Sequence, residues 1–165
     1  MKAIVQRVTK ASVSVDGELV SEIKRGLCIF LGISKDDKIE DVNYMAQKVL
    51  SIRLFDDEDE KRWMKSVKDL SLELLCISQF TLYHTWKGNK PDFRQAMPTE
   101  DSKKLYQAFL ERVKTLHKPE LVKDGIFGAM MSVQVVNDGP VTVEVISPKV
   151  KQSDCKTEIN QNGRQ

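Results

Sequence analysis

Two short segments concentrate hydroxyls, amides and special backbone geometry: Ser78-Gln79-Phe80-Thr81-Leu82 and Asn137-Asp138-Gly139-Pro140-Val141-Thr142, each at the end of a strand-like run. The first places two hydroxyls, an amide and an aromatic ring just past an apolar run, where rigidly held backbone N–H groups can stabilise a developing oxyanion. Taken alone, the segment favours a plainer reading, in which Ser78 and Thr81 cap the strand end while Phe80 packs in the core and Gln79 bonds a neighbouring loop. The second segment reads as a β-turn, and only ~5–6% of X-Pro bonds in folded proteins are cis. A cis Gly139-Pro140 would point adjacent carbonyl oxygens the same way, as an acceptor pair for an ammonium group. Spacing leaves these alternatives open.

Strongly ionisable catalytic groups are scarce. The chain has two histidines. His117, beside Lys118-Pro119, reads as a cation at a helix C-terminus, and His84 as a solvated loop residue. There is no His-Glu-x-x-His, no Gly-x-Ser-x-Gly and no phosphate-cradling glycine loop. Cys28, Cys76 and Cys155 are widely spaced and odd in number, which suggests neither a disulfide framework nor a zinc site. Neither a metal nor a cofactor is expected. If the protein is an enzyme, its backbone does much of the chemistry.

The 165 residues suit one domain with a proper core. With 26 Lys+Arg against 24 Asp+Glu, the net charge of +2 does not advertise a nucleic-acid coat, although a local cluster can still hold one RNA end. Gln6 and Arg7 interrupt the apolar N-terminus, against a signal peptide, and no run approaches the ~20 apolar residues that span a bilayer. A cytoplasmic protein with no membrane association is expected.

The elements that must position the two segments follow from periodicity. Val8, Ala11, Val13 and Val15 around Ser12 and Ser14 predict a strand, with Asp16-Gly17 as a hairpin turn into residues 19–23. Lys24-Arg25-Gly26 reads as a second hairpin turn into the unbroken apolar run 27–33, the expected central strand. Asp37 is a candidate N-cap, with Glu40 three residues on, for a helix with Val42, Met45, Ala46, Val49 and Leu50 on one face. Residues 52–55 and 72–77 read as strands, and the basic loop 87–93 as irregular. A second helix from Thr99 is expected to bury Leu105, Phe109, Val113 and Leu116. Two strands, 129–136 and 141–146, flank the Asn137-Asp138-Gly139-Pro140 corner. Residues 149–165 read as a polar, disordered tail beyond a 1–148 domain. The fold class is β-rich α+β: a curled antiparallel, barrel-like sheet with two helices on one side.

Five separated motifs together resemble the D-aminoacyl-tRNA deacylase family: Met1-Lys2-Ala3-Ile4-Val5-Gln6-Arg7-Val8, Ser78-Gln79-Phe80-Thr81-Leu82, Lys87-Gly88-Asn89-Lys90-Pro91-Asp92-Phe93, Gly125-Ile126-Phe127-Gly128 and Asn137-Asp138-Gly139-Pro140-Val141-Thr142. The resemblance spans roughly residues 1–148. It implies a homodimer that removes a D-amino acid, or glycine, from the 3′-terminal adenosine of a mischarged tRNA. It further implies a cis Gly139-Pro140 that enters the partner subunit's pocket, holds the substrate's α-amino group and excludes an L side chain. Arg7 then resembles the arginine that holds this motif. Ser78 and Gln79 order the loop or contact substrate, Phe80 and Phe127 enclose the adenine, and Lys87 and Lys90 meet tRNA phosphates.

Two readings of the chemical step follow. In one, Thr81 is the nucleophile. In the favoured one, backbone N–H groups at and near Phe80 form an oxyanion hole while the substrate's 2′-hydroxyl assists, because a threonine hydroxyl without a base is a poor nucleophile. The rivals are a non-catalytic nucleic-acid-binding module on the same fold and a deacylase of relaxed chirality.

Overall fold

The structure, a computed structural model, describes residues 1–148; the segment 149–165, read from sequence as a tail, lies outside the described residues. β1 (Lys2–Val15) turns at Asp16-Gly17, both with positive φ, into β2 (Glu18–Ile23) as expected. The second hairpin does not form. β3 (Gly26–Gly32) continues the line of β2: β2 pairs with residues 11–15 of β1 and β3 with residues 2–8, both antiparallel. At 14 residues, β1 is long enough to template both, so Lys24-Arg25 is a break in one long partner strand.

α1 (Ile39–Ser51), β4 (Arg53–Phe55) and β5 (Lys65–Ser66) lead to β6 (Glu73–Ser78), which lies parallel to β3. A small ribbon, β7 (Thr85–Lys87) and β8 (Lys90–Asp92), precedes α2 (Thr99–Leu116). β9 (Val122–Asp124) then lies parallel to β6, and β10 (Ser132–Ile146) returns antiparallel to β1. Parallel neighbours need a crossover of about a dozen residues or more, and each helix serves one. The sheet order is β10-β1-β3-β6-β9, with β2 beside β1. The expected antiparallel pairing holds on the β10-β1-β3 side, while β3-β6-β9 is parallel. The sheet curls until Ser21 Oγ of β2 donates to the Asp124 carbonyl at 2.6 Å.

β3 is buried on both faces, as its unbroken apolar run implies. Leu27, Ile29 and Leu31 join the core under the helices, and Cys28 joins the cluster inside the curl with Val8, Val13, Ile23, Leu75 and Ile77. α1 buries the five residues its spacing predicts. Its N-cap is Lys38, whose N–H donates to Asp41, because Asp37 is engaged elsewhere: its carboxylate accepts the Met1 ammonium at 2.6 Å and the Ser34 N–H. α2 packs on both α1 and β9, so the covered stripe is wider than expected. Tyr106 and Leu110 are fully buried beside Phe109 and Val113, and Leu105 and Leu116 only partly.

The last two expected strands are one strand, β10, with the special segment as a bulge within it. Gln6 pairs with Thr142 and Val8 with Asn137, so residues 138–141 stand opposite Arg7 alone. Asn137 closes the neck: its side-chain oxygen accepts the Val141 N–H, and its amide donates to Thr142 Oγ1, each at 2.9 Å. The Gly139-Pro140 bond is cis.

β3 and β6 approach closely because Gly26 has no side chain; a Cβ there would lie 1.9 Å from the Glu73 carbonyl oxygen. Gly26→Ala is expected to lose about 1–3 kcal/mol of unfolding free energy in urea titrations. An unchanged midpoint would contradict this approach.

Candidate active site

The carboxyl ends of β3 and β6 open into a cavity of about 800 Å³. Gln79 leaves β6 with its N–H donated to the Leu31 carbonyl at 2.8 Å, after which Phe80–Leu82 forms a single 3₁₀ turn. The turn packs directly on Gly32, where a Cβ would lie 2.9 Å from Leu82 Cβ. Its first internal bond is Leu82 N–H to the Gln79 carbonyl, so the N–H groups of Phe80 and Thr81 precede the bonded ladder. Thr81 Oγ1 accepts from the Gln79 side-chain amide. His84 Nδ1 bonds the Thr81 carbonyl at 2.8 Å, not its hydroxyl.

The opposite wall is the segment from Phe93 to Pro98, held on the end of β3 by a Ser34–Ala96 bridge and by Met97 N–H to the Ile33 carbonyl at 3.0 Å. Phe93 meets Phe80 edge to face at 5.1 Å. The third wall is the loop after β9, carrying Phe127, Ala129 and Met131. Gly125 makes room there for Met131, whose sulfur lies 2.6 Å from where a Cβ would sit. Nothing among the lining residues titrates.

The structure therefore brings Ser78, Gln79, Phe80, Thr81 and Phe127 to one cavity. Arg7, Gly139 and Pro140 form a separate group that does not line it. Arg7 donates Nη1–H to the Leu54 carbonyl at 2.7 Å, pairs through Nε with the Asp138 carboxylate at 3.1 Å and lies 5.8 Å from the Trp63 ring centroid. Gly139 and Pro140 are exposed at the crest of the bulge. Lys87 and Lys90 sit on the β7-β8 ribbon, Lys87 paired with Asp92 at 2.9 Å. The sequence reading missed Trp63, which braces Arg7, and Phe93, Met97 and Met131, which line the cavity; isolated apolar residues in loops carry no periodic signal.

Beneath the third wall, Tyr106 Oη donates to the Asp124 carboxylate, and the Tyr106 ring lies 5.5 Å from Phe127. Burial holds the Asp124 carboxyl above its ordinary value of 3.8, against the Tyr106 and Gly125 hydrogen bonds that lower it. Burial likewise pushes the Cys28 thiol up to about 12, so that sulfur is an inert core group. Among the described residues no cluster of His, Cys, Asp and Glu could hold a metal ion, and no helix is long and apolar enough to cross a membrane.

A curled, β-rich α+β sheet with two helices is the fold class that the resemblance to D-aminoacyl-tRNA deacylases implied. The chain belongs to the D-Tyr-tRNA(Tyr) deacylase family, whose description matches residues 4–146. It is 55% identical over 148 residues to D-aminoacyl-tRNA deacylase 1 of Homo sapiens, covering 90% of this chain and 71% of that one. It is 53% identical over 154 residues to D-aminoacyl-tRNA deacylase of Drosophila melanogaster, covering 93% and 97%. A solved structure described as c-Myc DNA Unwinding Element Binding Protein superposes with a TM-score of 0.87 at 55% identity, covering 90% of this chain and 99% of that one. A probable eukaryotic D-amino acid tRNA deacylase shares the fold at a TM-score of 0.73 and 15% identity, covering 87% and 98%.

A carboxyl raised in the folded state contributes stability below its unfolded value and loses it as pH rises through the folded value. Asp124→Asn keeps an acceptor for Tyr106 and removes this loss. Its urea midpoint relative to the parent is therefore expected to be higher at pH 7 than at pH 3. Parallel pH profiles would contradict the assignment.

Proposed function

We propose that the protein hydrolyses the ester bond of D-aminoacyl-tRNA, and of glycyl-tRNA charged on a non-cognate tRNA, as a cytoplasmic chiral-proofreading enzyme. The observation that carries this reading is a cavity whose polar wall is made of main-chain N–H groups, hydroxyls and an amide, with no ionisable side chain on it. An aminoacyl ester is already activated, so positioning and electrostatic stabilisation suffice for its hydrolysis.

In this reading the 3′-terminal adenosine lies against Phe80 and Phe127, and the ester carbonyl points at the Phe80 and Thr81 N–H groups. A preorganised donor of this kind is worth roughly 10²–10³ in rate. The substrate's 2′-hydroxyl assists the attacking water. Thr81 serves as a positioning group in this reading, which is supported by its hydroxyl accepting from the Gln79 amide and by the His84 imidazole bonding its carbonyl instead of its hydroxyl. Ser78 and Gln79 order the turn, and Lys87 and Lys90 meet backbone phosphates.

Chirality is read by the bulge. The protein acts as a homodimer in which Gly139 and Pro140 of one subunit enter the cavity of the other, their carbonyl oxygens holding the substrate's α-amino group. That reading is supported by a crest that is exposed, held through Asp138 by Arg7, and not part of the lining of its own cavity. A rigid clash rejects the wrong enantiomer far more strongly than an apolar pocket separates near-isosteres. Glycine, without a side chain, passes. The alternative of a non-catalytic nucleic-acid-binding module draws support from the description of one solved relative.

Incubation with matched D- and L-aminoacyl-tRNA is expected to release only the D residue. RNA binding without turnover would instead favour the module, and appreciable hydrolysis of L-alanyl-tRNA a relaxed deacylase. Thr81→Ala is expected to keep kcat within about tenfold, whereas a terminal 2′-deoxyadenosine costs more; loss of several orders of magnitude in the variant would return the nucleophile to Thr81. Gly139 has φ 123°, and a Cβ there would lie 2.7 Å from Val141 Cγ2. Gly139→Ala is accordingly expected to lower D-specific kcat/KM, and unchanged selectivity would argue against the role of the bulge.

A further inference from the structure

The β7-β8 ribbon presents an indole to solvent: Trp86 is 65% exposed, among the most exposed large apolar side chains of the described residues. The ring is not adrift. His84 packs against it edge to face at 5.2 Å, and the same imidazole bonds the Thr81 carbonyl of the cavity wall. A single side chain therefore links the reaction pocket to the exposed ring.

The charges around the ring are sorted by exposure. Lys87, Lys90 and Arg94 project outward, while Asp92, the one carboxylate of the segment, is tucked beneath with its side chain 11% exposed, pairing with both Lys87 and Arg94 at 2.9 Å. Of the remaining ribbon residues, Thr85, Gly88 and Asn89 are polar or lack a side chain, and Pro91, paired across the ribbon with Trp86, adds the one small apolar surface beside the ring. An aromatic face ringed by outward cations suits a base stacked between charged phosphates. It does not suit a second copy of this chain, since juxtaposed copies of the ribbon would bring like charges together and share little apolar surface.

We propose that Trp86 is a stacking platform for the unpaired nucleotide immediately preceding the terminal adenosine, with Lys90, Lys87 and Arg94 meeting the adjoining phosphates. This rests on the deacylase reading of the cavity. The platform extends the site beyond the adenosine and recognises single-stranded RNA of any sequence, because every base offers a π face.

The test compares the full-length protein and its Trp86→Ala and Trp86→Phe variants on D-aminoacyl-tRNA and on D-aminoacyl-adenosine, which lacks the preceding nucleotide. Trp86→Ala is expected to raise KM for the tRNA roughly tenfold with kcat unchanged, Trp86→Phe to recover most of it, and neither to alter hydrolysis of the aminoacyl-adenosine. An unchanged KM for the tRNA, or equal losses on both substrates, would overturn the platform. In a Trp63→Phe background, where Trp86 is the sole tryptophan, an uncharged trinucleotide of the acceptor end is expected to quench its emission. That readout does not depend on catalysis. Quenching in that background, together with no deacylation of any ester by the protein with Trp63 intact, would sink the deacylase reading and leave the RNA platform standing, whereas deacylation by the protein with Trp63 intact and no quenching would do the reverse. Weakened self-association of Trp86→Ala in sedimentation would also overturn it, by giving the ring to a second copy.

Discussion

Arg7 stands alone on β1 against residues 138–141 of β10, and its guanidinium takes the place of the ladder bonds that those residues forgo. A strand that bulges this far loses pairing and gains freedom, so something must remove the freedom again. Three contacts do so from the β1 side: the Asp138 carboxylate, the Leu54 carbonyl and the Trp63 ring. Asn137 does so from within β10 by closing the neck. Hydrogen bonds to a charged group are worth about 1.5–3 kcal/mol each, and this one is partly buried. Lysine, a point charge without a planar fork, could not reach the Leu54 carbonyl and Asp138 together.

The cavity has a different origin. Three parallel strands, β3, β6 and β9, end on the same side of the sheet; the chain leaving β6 and the chain leaving β9 each build a wall, and the segment Phe93–Pro98, docked on the end of β3, builds the third. Ligands of parallel sheets collect at the carboxyl ends of their strands, where successive connections diverge. The helices make that parallelism possible by serving as the crossovers, and they also bury the face of the sheet away from the curl. Core and site thus share one cause. Tyr106 shows the coupling most directly, for the helix residue that fills the core also donates to Asp124, at the root of the loop that carries Phe127.

What could be read in the sequence follows the same division. Both helices, the buried central strand and the hairpin at Asp16-Gly17 announced themselves through local periodicity and turn chemistry. The cavity residues Ser78 to Thr81 were legible because they follow an apolar strand in a short cluster of hydroxyls and amides. Pairing direction was not legible, since β6 reads the same whether its partner runs with it or against it. Lys24-Arg25-Gly26 looked like a turn because only tertiary pairing with the full length of β1 could show β2 and β3 to be collinear. The bulge looked like a corner between two strands for a related reason: its register is set by Arg7, more than 130 positions away along the chain. Trp63 lay in a charged loop with nothing local to mark it.

Separating the bulge from the cavity has a physical logic of its own. A device that reads handedness must hold the amine, the ester and the excluded direction in a fixed relation, and tolerance in any of them admits the wrong enantiomer. Main chain supplies this better than side chains do, because a peptide unit has no rotamers to adapt. A pocket that closed on its own bulge would, however, have to open to release product, and the bulge would move with it. In the proposed homodimer a bulge donated by the second molecule would stay rigid while the cavity stays open. The cost would fall on association, and selectivity would then depend on the geometry with which two copies meet as well as on the residues of either one.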